Sequence, residues 1–96
     1  MKAEATLEVV GNRCCVGGVL DFDTTRSAWD RLRPIIDQQQ SLEIDLAGVT
    51  AANSAGLALL IECQAIAKSQ NRSIRFSHIP DGLMQLAHVC EVDGLI

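Results

Sequence analysis

The side chains able to do chemistry are few. Ser54 follows Asn53 just ahead of an apolar run, Asp21 and Asp23 flank Phe22, His78 and His88 stand far apart, and Cys14, Cys15, Cys63 and Cys90 complete the set. A nucleophilic triad needs a histidine beside a serine or cysteine, and both histidines fall in patterned segments where packing or solvent exposure explains them. Asp21 and Asp23 precede a helical pattern, so helix capping and the favourable end of the helix dipole account for them better than acid–base work. The cysteines form no C-x-x-C pair and two are adjacent, a poor arrangement for a zinc site or a disulfide framework. They are expected to be reduced, metal-free and used mainly as small buried hydrophobes. No Walker loop or G-x-G-x-x-G is present, and the residues point to no enzyme, no metal and no cofactor.

The elements that must position these residues follow from hydrophobic periodicity. Thr6 to Val10 and Cys14 to Leu20 read as antiparallel strands separated by Gly11-Asn12-Arg13. A helix follows, with Ala28, Leu32, Ile35 and Ile36 at helical spacing, and Pro34 predicts a kink or break in it because it cannot donate to the carbonyl of Asp30. Leu42, Ile44 and Leu46 alternate with Glu43 and Asp45 in a third strand, and a short loop then leads to Ser54, read as the N-cap of a helix over 55–68. Ile74, Phe76 and His78 alternate in a fourth strand, and Pro80-Asp81-Gly82 introduces a last helix carrying Leu83, Leu86, Ala87 and Cys90. The expected architecture is α/β, one domain over 1–96, in ββαβαβα order. It predicts a mixed four-stranded sheet with the helices packed mainly on one face.

Ninety-six residues suit one compact domain, and 48% hydrophobic against 21% charged residues excludes a disordered chain. The net charge of −4 argues against a phosphate-binding surface, so nucleic acid is an unsuitable partner. No apolar run spans a bilayer and the start MKAEATLEVV lacks a continuous apolar core, which predicts a cytoplasmic protein.

On a helical wheel, Gly56, Leu59, Leu60, Cys63, Ile66 and Ala67 share one arc, the expected core face of the second long helix. Leu57 and Ile61 fall on the far side with Ala58, Ala65 and Ser54, and this cluster predicts a protein-binding patch. Trp29 is expected at the edge of the first helix's apolar arc, partly exposed, and tryptophan is enriched among binding hot spots. The candidate partner-binding residues are therefore Trp29, Ser54, Leu57 and Ile61. Ser54 is also a candidate phosphosite.

The stretch Ile44-Asp45-Leu46-Ala47-Gly48-Val49-Thr50-Ala51-Ala52-Asn53-Ser54-Ala55-Gly56-Leu57 resembles the signature of STAS domains, in which a strand runs into a D-S/T-x-G-L helix start. Gly18-Val19-Leu20-Asp21-Phe22-Asp23-Thr24, Trp29 and the run Gly56 to Leu60 are similar to the MlaB subgroup of that family. The resemblance implies a non-enzymatic subunit that binds the ABC-type ATPase of a phospholipid transporter of the Mla system. That system maintains outer-membrane lipid asymmetry, so the chain would sit peripherally at the inner membrane, reaching the permease only indirectly. It places Ser54 on the family's Ser/Thr at the helix start and Trp29 on a helix residue at the partner surface. A second implication is an anti-sigma factor antagonist whose Ser54 is phosphorylated. Asn53 stands where the family usually has Asp, which bears against that switch.

Overall fold

The computed structural model describes residues 4–96, so the first three residues of the expected 1–96 domain lie outside it. Strands β1 (Ala5–Val10) and β2 (Arg13–Leu20) form a hairpin, followed by helix α1 (Thr25–Gln38), strand β3 (Ser41–Ala52), helix α2 (Ser54–Ser69), strand β4 (Ser73–Ser77), helix α3 (Asp81–Val89) and a short 3-10 turn (Asp93–Leu95). The ββαβαβα order is the expected one. The turn is the two residues Gly11 and Asn12, tighter than the three-residue interruption expected, with Arg13 already paired to Val10.

The sheet order is β1-β2-β3-β4, with the hairpin antiparallel and β2, β3 and β4 mutually parallel. Both parallel pairs are crossovers through a helix, which a parallel connection requires. The inward residues Cys14, Val16 and Leu20 of β2, Leu42, Ile44 and Leu46 of β3, and Ile74 of β4 meet Ala28, Leu32 and Ile36 of α1, Leu59, Leu60, Cys63 and Ala67 of α2, and Leu83 and Ala87 of α3. The helices thus gather on one face, as the alternating third and fourth strands predict.

Three local expectations change. Pro34 does not break α1, which runs on through Gln38, because a missing amide removes one bond and the buried Leu32 and Ile36 hold the turns on both sides. The supposed loop before α2 is strand: β3 extends to Ala52, pairing Gly48, Val49, Ala51 and Ala52 with β2 across two register shifts. Small residues there conceal a strand from a hydrophobic-pattern reading. Of the cysteines, Cys14 and Cys63 are buried as expected, Cys15 is half-buried, and Cys90 is exposed just past the end of α3. Burial pushes the Cys14 thiol up to about 11 and the Cys63 thiol up to about 12, so neither is a ready nucleophile.

The opposite face of the sheet is open and polar. Glu43 accepts from Arg75 at 2.6 Å and from Ser77 at 2.9 Å, and these bonds hold its carboxyl below the usual range. Asp45 is buried and accepts from the Ala47 amide, from Arg13 and from His78 Nδ1. Its carboxyl is lowered to about 2, chiefly by the Ala47 amide and then by Arg13. Asp45 therefore ties β2, β3 and the segment after β4 together. His78 lies just past β4, in left-handed backbone at φ +54°, beyond the strand position expected for it.

Candidate functional site

α1 starts from an interlocked turn. Asp21 Oδ1 accepts from the amides of Asp23 and Thr24 at 2.9 and 3.0 Å, while the Thr24 hydroxyl donates to Val19 O at 2.7 Å and accepts from the Asp21 amide at 2.9 Å. Asp21 thus braces the turn ahead of α1 rather than capping it as expected: the N-cap is Thr24, and no side chain caps the first helical amides. With both neighbours tied down, Phe22 projects from the tip of the turn and is 74% exposed. An aromatic ring left in water on a braced turn is a surface feature that wants cover.

α2 begins on a second brace. Asn53 Oδ1 accepts from the Ala55 amide at 2.9 Å, and the Asn53 amide donates to Leu20 O at 3.1 Å, fixing the helix start against the end of β2. Gly56 makes the approach possible, since a Cβ there would lie 3.0 Å from Leu20 Cβ and 3.3 Å from Ala52 Cβ. The N-cap is therefore Asn53, not Ser54. Ser54 is the first helical residue, exposed, and its hydroxyl makes no hydrogen bond among the described residues. The one-residue shift has a simple cause: Asn caps as well as Ser, and an extended backbone at φ −126° places the Asn53 carbonyl group correctly over the first turn.

Between these two braced starts, α1 and α2 enclose a groove of about 610 Å³, with Phe22, Thr25, Arg26, Trp29 and Asp30 on one side and Ala55, Ala58, Leu59 and Glu62 on the other. Trp29 is half-buried, packed against the core and lining the groove. The Arg33 guanidinium lies 6.0 Å from its ring centroid, at the outer limit of a cation–π contact. Ala58 is exposed opposite, and its small size keeps the groove open.

The four predicted partner residues do not form one surface. Trp29 lines the groove, whereas Ser54 is not among its lining residues, although the next residue, Ala55, is. Leu57 is only 5% exposed and belongs to the core, and Ile61 is half-buried in a separate depression with Ala65, Leu95 and Ile96. The outward orientation expected for Leu57 and Ile61 is thus corrected. α2 packs against β3 and β4, α1 and α3, so it has neighbours on more than one side. A wheel that allows one core face misassigns the flank turned toward α3. Ala58, which the pattern reading placed in the far-side cluster, does line the groove, whereas Phe22 is a groove residue that it missed. The available signal was an aromatic residue between two helix-opening aspartates, outside every apolar periodicity.

Nucleophile chemistry finds no geometry here. His78 pairs with Asp45 and His88 Nδ1 lies 3.4 Å from Asp93 Oδ2, both exposed and neither bonded to a serine or cysteine. No cluster of three or more His, Cys, Asp or Glu suited to a metal ion occurs among the described residues. No helix there is long and apolar enough to cross a membrane.

Comparison with known proteins places this architecture. A family described as "Mlab, STAS domain" matches residues 6–96. The unphosphorylated anti-sigma factor antagonist SpoIIAA superposes with a TM-score of 0.73 at 11% identity, covering 95% of this chain and 84% of that one. An anti-sigma factor antagonist from Mycobacterium paratuberculosis gives 0.71 at 18% identity, covering 97% and 81%. At these identities the two structures are similar in fold alone. No curated protein matches the sequence.

Proposed function

Because the chain belongs to the STAS-domain family, on the side described by MlaB, we propose that it is a non-enzymatic docking subunit of an Mla-type phospholipid transporter. It binds the ABC-type ATPase subunit through the α1–α2 groove and supports the assembly and activity that maintain outer-membrane lipid asymmetry. The observation that carries this reading is the groove itself: a half-buried Trp29 and a solvent-exposed Phe22 held on rigid helix starts around a small-residue wall at Ala58. A pre-formed site with aromatic anchors and little ordering cost is suited to capturing a partner. In this role the chain works in the cytoplasm, peripheral to the inner membrane through its partner, and needs no cofactor of its own.

Mechanistically, docking buries Phe22 and the exposed part of Trp29 together, and the side chains of Arg26, Asp30 and Glu62 at the groove supply both signs of charge to orient the partner. Co-purification with the ATPase subunit of the same source tests the reading. Wild-type chain is retained and Trp29→Ala and Phe22→Ala are lost while still folded; retention of both variants at wild-type level would overturn it.

One observation favours the second reading, an anti-sigma factor antagonist regulated at Ser54. The hydroxyl is exposed and uncommitted at the first turn of α2, where a phosphate would gain from the helix dipole. Asn53 serves as the cap and leaves that hydroxyl accessible. Intact-mass analysis of protein from the native host decides between the two: a phosphate on Ser54 together with a co-purifying kinase would replace the transporter reading.

A further inference from the structure

Among the described residues β1 pairs with β2 alone, so its outer edge has no strand beside it. Glu4 O accepts from the Val19 amide at 2.9 Å, and Val10 faces Arg13 across the turn. Strand alternation then turns the backbone groups of residues 4, 6, 8 and 10 toward β2 and those of Ala5, Leu7 and Val9 outward. Arg31 Nη1 donates to Ala5 O at 3.3 Å, which agrees with that assignment and guards one end of the edge. No side chain among the described residues bonds the backbone of Leu7 or Val9. Exposed edges are usually blunted by charged side chains, Pro or a bulge, and of these β1 carries Glu8 alone. β1 reads ATLEVV, keeps an unbroken register from Ala5 to Val10, and leaves Val9 46% and Val10 65% exposed.

We propose that this edge takes a second copy of the same strand, antiparallel, joining two sheets into one of eight strands. The sequence of the strand selects the occupant and the register. Outward groups must meet outward groups, so a two-fold axis passes through Thr6, Leu7 or Glu8. An axis at Glu8 sets that carboxylate against its own copy, and an axis at Thr6 leaves Val9 opposite no residue of the strand. An axis at Leu7 uses the whole outward set, placing Ala5 opposite Val9 and Thr6 opposite Glu8 twice over. Each threonine hydroxyl can then donate to a carboxylate on the open face. Arg31 need not leave, because a carbonyl oxygen can accept two bonds. The edge is short and the association is accordingly weak, and it leaves the α1–α2 groove untouched, so it stands independently of the transporter reading.

Sedimentation equilibrium of the full chain from micromolar to millimolar concentration tests it, with circular dichroism to establish that each variant folds. The wild type is expected to pass from monomer to dimer. Thr6→Glu faces two carboxylates with carboxylates and weakens the dimer several-fold, whereas Thr6→Lys, opposite the same Glu8, tightens it several-fold. A wild type that stays monomeric at millimolar concentration overturns the proposal, as does a dimer that responds to neither charge.

Discussion

On the flank of α2 turned toward α3, Leu57 is almost fully buried and Ile61 half-buried; on the flank turned toward α1, Leu59 is equally buried, yet Ala58 beside it is exposed and the helices part into a groove. Both flanks are aliphatic. Their fates differ because residues on the α3 side find Leu83 and Ala87 in the same core, whereas at the α1 side the neighbour is a half-buried Trp29 and a braced turn that carries Phe22 away from the protein. An apolar side chain is therefore open to a partner only where the neighbouring element stops short of covering it. In this molecule the interlocked hydrogen bonds of Asp21 and Thr24 set where that cover ends.

The contrast is broken most directly at Leu57. Leu57→Asp empties a leucine site and buries an unpaired carboxylate, which costs at least about 3 kcal/mol and approaches the whole stability of a small domain. Thermal unfolding by circular dichroism should show a large fall in Tm or no cooperative transition. A melt at the wild-type temperature would mean that the α3 side is open after all.

On the α1 flank the effect should move from stability to binding. Trp29→Ala should weaken ATPase-subunit binding by about 2 kcal/mol, the scale of an aromatic hot spot, with the domain still folded. Ala58→Glu sharpens the point, because glutamate is a good helix former and an exposed position tolerates it within about 0.5 kcal/mol, yet it puts a charge into the groove. Calorimetric titration beside a thermal melt separates the two quantities. Equal losses in both would move these residues into the core.

The start of the helix gives the smallest expected effects. Asn53→Ala should cost about 1 kcal/mol, the usual value of an N-cap, whereas Ser54→Ala should change stability by less than about 0.5 kcal/mol. Chemical denaturation of the two variants checks the order. A reversed order would restore Ser54 as the cap.

Element order, fold class and the one-sided helix layer were legible in the chain because each rests on local periodicity, and the Ile44 to Leu57 signature carries the family resemblance. The partial exposure of Trp29 was legible from its place at the edge of an apolar arc. The length of β3 was not, since its last residues are small and pair through backbone bonds that carry no side-chain pattern. The choice of Asn53 over Ser54 as cap depends on backbone angles that two adjacent capping residues leave open. Which flank of α2 is free depends on α3, an element that begins 24 residues after Leu57, and helical periodicity records how apolar residues are spaced along one helix without recording how many neighbours surround it. Phe22 illustrates the same division: its type and position are written in the sequence, but its exposure follows from a turn closed by Asp21 and Thr24 and from the distance at which α2 is held by Asn53, Gly56 and Leu20.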